Sequence, residues 1–234
     1  MKHIGIVAVS AEGAALCYRT ICLEGAVILG PHEHPEITLH GFSLSSYQRL
    51  IDDDRWDAVG ETLLESAARL VKSGAELLIC PDNTAHQGLD LVRDRTPAPW
   101  IHIAEEVSGE ARRRGFRRLA ILGTRFLMEG SVYRSKLASA GIDHRIPAAE
   151  QRTRINQIIY DELVYARFIP ESRAYFQNII RDLADNGCDA VALACTEIPL
   201  LISSADSPLP ILDSTRILAR AALREATSAQ NAKS

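Results

Sequence analysis

The chain has 234 residues, of which 47% are hydrophobic and 24% charged, a composition typical of globular domains and unlike disordered or fibrous chains. The formal net charge is -4 at pH 7 without long runs of like charge, so we expect no nucleic-acid partner. The apolar stretches are far shorter than the roughly 18 residues that cross a bilayer, so we expect no membrane association.

The N-terminal apolar run, Ile4 to Val9, is too short for a secretory signal and is soon followed by Glu12. The 5 cysteines lack paired spacing, which predicts free thiols and neither a disulfide framework nor a zinc site. Both observations favour a cytoplasmic protein.

Short apolar runs alternate along the chain with longer segments of helical periodicity, a pattern typical of parallel α/β folds. We expect a final helix from Ser214 to Ala226 and a loose segment from Thr227 to Ser234. The predicted strands are Ile4–Val9, Ile37–Phe42, Leu77–Cys80, Trp100–Ile103, Leu119–Gly123, Ile142–Ile146, Ala190–Ala194 and Ile211–Leu212.

The second half of the sequence repeats the first. IGIV from Ile4 recurs as LAIL from Leu119, and GAELLICPDNT from Gly74 recurs as GCDAVALACTE from Gly187. This repeat predicts two tandem-related, four-stranded parallel-sheet domains of Rossmann-like or flavodoxin-like type, with pseudo-two-fold symmetry and a cleft between them. We expect the first domain to comprise residues 1–103 and 210–234, and the second to comprise residues 104–209.

Cys195 and Asp82 occupy equivalent positions in the repeat, each just after a predicted strand. Ligands of parallel α/β proteins bind beyond the carboxyl ends of the strands, so both residues are candidates for chemistry. Backbone N–H groups at a helix start would favour the thiolate of Cys195, although a small buried core cysteine fits the same position. Asp82 fits an acid/base role and also a helix cap before the segment through Leu91.

Four further residues lie beside these positions. His86 could orient Asp82 or a substrate, and Glu197 could orient Cys195 or accept its proton; both also suit the first turn of a helix. Ser10 and Thr124 end the first strand of each half, where they could hold a substrate carboxylate or form a turn. Nucleotide-binding and zinc motifs do not occur, so we expect no cofactor and no metal.

The segments DNTAH from Asp82 and CTE from Cys195 resemble the CNTxH and CTE motifs of the aspartate/glutamate (hydantoin) racemase superfamily. The resemblance covers essentially the whole chain, including IGIVAVSAEG at Ile4 and EQRTRINQIIYDEL at Glu150. It implies two α/β domains with the active site between them, and a homodimer. It also implies removal of an amino acid's α-proton by one cysteine and reprotonation by another, without pyridoxal phosphate.

By this resemblance Cys195 matches the second catalytic cysteine, whereas Asp82 stands where the first is expected. A carboxyl group has an ordinary pKa of about 3.9 against about 8.5 for a thiol, so Asp82 would be the weaker base of an asymmetric pair. The basic residues that some members use for a distal carboxylate have no obvious counterpart, which leaves a neutral substrate side chain open. The matching substrate-binding positions are Asn83, Thr84, Thr124 and Thr196.

The leading hypothesis is a cofactor-independent amino-acid racemase or epimerase in which Cys195 and Asp82 act on opposite faces of the α-carbon. One alternative is a decarboxylase or isomerase of a small carboxylic acid that uses Cys195 alone, as arylmalonate decarboxylases use a single cysteine. A second alternative is a catalytically degenerate protein that binds a small carboxylate.

Overall fold

A computed structural model describes residues 1–231 of the chain, in which strands and helices alternate. The strands are β1 Ile4–Ala8, β2 Ile37–Gly41, β3 Leu77–Ile79, β4 Trp100–Ile101, β5 Arg118–Leu122, β6 Asp143–Arg145, β7 Ala190–Leu193 and β8 Ile211–Asp213. The α-helices are α1 Ala11–Leu29, α2 Leu44–Asp52, α3 Trp56–Lys72, α4 His86–Val92, α5 Ile103–Arg113, α6 Arg125–Glu129, α7 Val132–Ser139, α8 Ala149–Asp161, α9 Pro170–Asp185, α10 Ile198–Leu201 and α11 Ser214–Asn231. Short 3₁₀ helices lie at Arg93–Arg95, Leu163–Tyr165 and Ser204–Asp206. Within residues 1–231, no helix is long and apolar enough to cross a membrane.

The first sheet has the strand order β2-β1-β3-β4, and all neighbouring strands are parallel. Strand β1 (IGIVA) lies between two neighbours and is buried along its whole length. Strand β2 (ITLHG) is an edge strand with partly exposed residues. Continuous apolar runs are typical of strands covered on both faces, which is why β1 was readable from the sequence.

The second sheet repeats this arrangement with the order β6-β5-β7-β8, again parallel throughout. Strands β5 and β7 form its buried centre, and the short polar strand β6 (DHR) lies at an edge. The prediction of an α/β fold with two four-stranded parallel sheets is therefore confirmed. The predicted two-fold axis and cleft stay predictions.

The chain forms two compact units, one comprising Met1–Ile103 with the residues from Thr215 onward, and the other comprising Ala104–Ser214. Our assignment of residues 210–213 to the first domain is wrong for strand β8. Ile211 pairs with Val191 and Asp213 pairs with Leu193, so this strand extends the second sheet. The repeat itself indicates this position, because PILD is the counterpart of PWIH, which forms β4 of the first sheet.

Helix α11 completes the hydrophobic core of the first unit. Its apolar residues pack with β1, β3 and α1, and the core cluster is Ile4, Ile6, Cys17, Ile21, Leu77, Ile79, Ile103, Leu218, Ala219, Ala222 and Ala226. The helix continues to Asn231, so the expectation of a loose segment from Thr227 is wrong for residues 227–231. Thr227 is buried and its hydroxyl donates to the carbonyl of Leu223, so the helix is still packed at this position. Residues 232–234 lie outside the described part.

The second unit has its own core. Helices α8 and α9 supply many of its apolar side chains, which pack against strands β5 and β7. The cluster includes Ala120, Leu122, Ile155, Ile159, Phe176, Ile180, Val191, Leu193 and Cys195. Cys195 thus belongs to a close-packed cluster, which restricts its movement.

Helices α3 and α4 approach each other at two glycines. A methyl group on Gly88 would lie 2.8 Å from the nitrogen of Gly60 and 2.8 Å from the carbonyl oxygen of Trp56. Only glycine permits so close a backbone approach. This contact holds α4 directly after the DNTA segment that contains Asp82, and so fixes the start of the candidate site.

We expect Gly88→Ala to lower the free energy of unfolding by about 1–3 kcal/mol, because the new methyl group must push backbone atoms apart. The matched control is Gly109→Ala in helix α5, where a methyl group would meet no atom within 4 Å. Alanine has the higher helix propensity, so the control should gain about 0.5–1 kcal/mol. Chemical denaturation of both variants checks the prediction. An equal gain in stability for the two variants would contradict it.

Candidate active site

The first part of the candidate site lies where strands β1 and β3 end. Ile6 of β1 pairs with Ile79 of β3, so the segments that follow these parallel strands leave the same edge of the sheet. Ser10 follows β1 and Asp82 follows β3. The first unit therefore presents the polar residues that the sequence singled out along one edge.

Ser10 is the N-cap of helix α1. Its backbone is extended (φ -98°, ψ 152°), and its side-chain oxygen accepts a hydrogen bond from the nitrogen of Gly13 at 3.3 Å. The residue is 6% exposed. The turn-forming role weighed from the sequence is thus present, and it fixes the hydroxyl beside the first N–H groups of α1.

Asp82 is partly exposed and stabilises the turn that leads into helix α4. Its Oδ1 accepts a hydrogen bond from the nitrogen of Ala85 at 2.8 Å. The two residues that follow it, Asn83 and Thr84, are 2% and 6% exposed. A capping contact therefore exists at Asp82, and it holds the carboxylate at the sheet edge.

His86 is fixed as a neutral imidazole. Its Nδ1 lies 2.7 Å from the carbonyl oxygen of Asp82, which can only accept, so Nδ1 carries the proton. The nitrogen of Ile103 donates to Nε2 at 3.3 Å, so Nε2 carries none. The ring is 0% exposed and meets the His102 ring edge to face at a centroid distance of 4.5 Å. His86 thus supports the backbone of Asp82, and we assign it no proton-transfer role.

The second part of the candidate site lies where β5 and β7 end. Thr124 is the N-cap of helix α6, and its side-chain oxygen accepts from the nitrogen of Leu127 at 3.2 Å. The preceding residue, Gly123, approaches strand β7 closely, since a methyl group on it would lie 2.6 Å from the carbonyl oxygen of Ala194. Sequence reasoning did not single out Gly123, although a glycine between an apolar strand and a helix cap is the available signal.

Cys195 directly follows Ala194 and is 6% exposed. Its thiol donates a hydrogen bond to Oε2 of Glu197 at 3.1 Å, and the hydroxyl of Thr196 donates to the same oxygen at 3.1 Å. Glu197 is 3% exposed, so this carboxylate is a buried acceptor shared by two donors. The sulfur therefore has an acceptor for its proton within hydrogen-bonding distance.

The helix that follows Cys195 is short. Helix α10 spans only Ile198–Leu201, so its dipole is small. The thiol of Cys195 donates to the carboxylate of Glu197, a contact that the sequence argument from helix N–H groups did not include. This hydrogen bond is compatible with orientation of Cys195 and with acceptance of its proton, and both roles of Glu197 stay predictions.

Among residues 1–231, no group of three or more His, Cys, Asp or Glu side chains is arranged to hold a metal ion. The groups capable of acid/base chemistry are the thiol of Cys195 with the carboxylate of Glu197, and the carboxylate of Asp82. They follow the central strands β7 and β3 of their respective sheets.

The sequence profile of the Asp/Glu/hydantoin racemase family matches residues 9–222. The chain belongs to this family. The resemblance seen in the motifs is thus confirmed.

Individual racemases are similar to this chain in sequence and in structure. The broad specificity amino-acid racemase RacX of Bacillus subtilis (strain 168) is 23% identical over 189 residues, which is 80% of each chain. A candidate Asp/Glu racemase from Yersinia pestis has a TM-score of 0.87 and 30% identity, covering 97% of this chain and 99% of its own. An aspartate racemase homologue from Pyrococcus horikoshii OT3 has a TM-score of 0.83 and 26% identity, covering 97% and 100%.

Membership of this family supports a racemase function, which makes the protein an isomerase. The roles of individual site residues, the cytoplasmic location and the homodimer stay predictions.

Proposed function

We propose that this protein is an amino-acid racemase or epimerase that acts without pyridoxal phosphate, with Cys195 and Asp82 working on opposite faces of the α-carbon. The observation that carries the proposal is the 3.1 Å hydrogen bond from the Cys195 thiol to the Glu197 carboxylate. This hydrogen bond orients the thiol of Cys195, which follows strand β7, and provides an acceptor for its proton.

Racemisation requires a base on one face of the substrate and an acid on the other. Loss of the α-proton leaves a planar carbanion whose charge spreads into the carboxylate, and the configuration inverts when the proton returns from the opposite face. In one direction Asp82 takes the α-proton and the Cys195 thiol donates its own; the reverse direction exchanges these roles. Glu197 then holds the Cys195 sulfur in position and accepts its proton when the thiolate is needed.

The substrate's carboxylate and amino group need donors and acceptors at the same strand ends. We assign this task to residues that flank the two acid/base groups, all of them at most 7% exposed. Their short polar side chains and the N–H groups of the adjoining helix starts suit a carboxylate. These residues are Ser10, Asn83, Thr84, Thr124 and Thr196.

The substrate class in this proposal is an amino acid. RacX is described as a broad specificity amino-acid racemase, which supports a panel of amino acids as substrates rather than aspartate or glutamate alone. The lack of an obvious basic residue for a distal carboxylate in the sequence supports a neutral side chain.

The experiment that tests the function is proton NMR of L- and D-amino acids incubated with the protein in deuterium oxide. We expect the α-proton signal of at least one amino acid to disappear. Chromatography on a chiral column should show that its enantiomer accumulates in the same sample. No exchange across the panel would overturn the proposal. A single-handed product formed from a malonate-type acid with uptake of one solvent proton would establish the decarboxylase alternative, and ligand stabilisation without any turnover would establish the binding protein.

We expect Glu197→Gln to lower kcat about a hundredfold, because an amide cannot accept the thiol proton. The control is Glu150→Gln on helix α8, which removes an exposed carboxylate. Initial racemisation rates, with melting temperatures to verify folding, check the prediction. Equal rates for the two variants would show that Glu197 serves only as the N-cap residue of α10.

A further inference from the structure

Tyr47 carries a buried hydroxyl group that the proposed reaction does not yet use. The residue lies in the first turn of helix α2 and is 0% exposed. Its hydroxyl has no hydrogen-bond partner among residues 1–231. A buried polar group without a partner is unfavourable, so phenylalanine would suit a purely structural position better.

The position of Tyr47 in the fold relates it to Asp82. Helix α2 follows β2, whose last residue Gly41 pairs with Ala8 of β1, and β1 in turn pairs with β3. The start of α2 and the segment of Asp82 therefore leave the same edge of one sheet. Asp82 is partly exposed, whereas Tyr47 is completely buried within the same unit.

The surroundings of Tyr47 keep its hydroxyl protonated. Burial raises the pKa of Tyr47, and the negative charges of Asp82 and Glu65 raise it further. Burial likewise raises the pKa of the Cys80 thiol, with Asp82 adding to the effect. The phenol is thus a permanent donor within electrostatic reach of the Asp82 carboxylate.

We propose that Tyr47 is a positioning residue for Asp82, whose ionised carboxylate accepts a hydrogen bond from the Tyr47 hydroxyl during turnover. This inference rests on the proposed function. The bond orients the carboxylate from the buried side while Oδ1 remains held by the nitrogen of Ala85. Tyr47 keeps its proton throughout, since Asp82 exchanges a proton only with the α-carbon of the substrate.

The test is Tyr47→Phe, which removes the hydroxyl and leaves the ring in place. We expect kcat/KM to fall about tenfold in both directions, because a hydrogen bond to a charged group is lost and the two enantiomers are equally stable. The melting temperature should stay unchanged or rise, since no hydrogen bond of the free protein is removed.

Kinetic isotope effects with α-deuterated substrates identify the face on which Tyr47 acts. If proton abstraction by Asp82 becomes slower, the isotope effect rises for the enantiomer that Asp82 deprotonates and falls for the other one. The control is Tyr133→Phe in the second unit, where the tyrosine is 1% exposed and its hydroxyl hydrogen-bonds to Ser214. This control should lower the melting temperature and leave both isotope effects unchanged.

The outcomes separate this inference from the proposed function. If the wild-type protein racemises its substrate and Tyr47→Phe has the same rate and isotope effects, the role of Tyr47 is overturned and the function stands. A slower variant with both isotope effects unchanged also overturns it, since it would indicate a structural role. A wild-type protein that exchanges no α-proton overturns the proposed function itself and this inference with it.

Discussion

Replacement of Cys195 with alanine is expected to lower kcat/KM for racemisation by about a thousandfold, since the acid or base on one face disappears. The expected loss is similar in both directions, because each direction needs the thiol in one of its two protonation states. Folding should be retained, since the side chain is small and its hydrogen bond to Glu197 is local to the turn. Polarimetric rates with each enantiomer check this prediction.

Cys188 provides a closely matched control for Cys195. Both cysteines are 6% exposed, both belong to the same core cluster, and Cys188 precedes strand β7 while Cys195 follows it. Burial raises the pKa of Cys188, which suits an unreactive thiol. Cys188→Ala should therefore retain full activity. An equal loss in both variants would indicate a packing effect, and full activity in Cys195→Ala would refute the acid/base role.

Replacement of Asp82 with asparagine is expected to lower kcat/KM by about 10²- to 10⁴-fold while leaving the melting temperature nearly unchanged. Asparagine keeps an oxygen that can accept from the nitrogen of Ala85, so the turn before α4 remains capped. It cannot take or give the α-proton. This variant should therefore lose activity without losing stability.

Comparison of Asp82→Ala with Asp82→Asn isolates the capping contribution. Alanine removes both the proton-transfer group and the acceptor for Ala85, so we expect the same loss of activity and a further loss of about 1 kcal/mol in stability. If Asp82→Asn retained wild-type rates and only Asp82→Ala lost activity, the residue would be a cap without catalytic function. Thermal unfolding and racemisation rates of the same samples decide between the two results.

The sequence predicted the strands well because parallel strands buried on both faces are continuous apolar runs. The predicted run Ala190–Ala194 corresponds to β7 at Ala190–Leu193, and most predicted ends differ from the observed ones by one or two residues. Such ends depend on individual backbone hydrogen bonds, which hydropathy does not encode. Strand β8 was predicted in the first domain but lies in the second sheet, in agreement with the repeat, which aligns PILD with PWIH of β4.

The positions of the candidate site residues were predictable, whereas their contacts were not. The repeat located Asp82 and Cys195 at equivalent strand ends, but the partner of each side chain depends on turn geometry. The choice of Glu197 as the acceptor for Cys195, and of the Asp82 carbonyl for His86, follows from distances of a few ångströms within those turns. Tyr47 lacked any sequence signal, since a tyrosine at a helical core spacing looks like ordinary packing.

Helix α11 packs against the first sheet, and this packing affects the order in which the two units fold during synthesis on the ribosome. Residues 104–214 are continuous in the chain, so this unit can assemble its core as soon as it has emerged. Strand β1 is made first, yet Leu218 and Ala222 that pack against its layer are made after the whole second unit. The earlier-synthesised unit is therefore the later one to complete its core, and its apolar surface stays incompletely covered until α11 has been made.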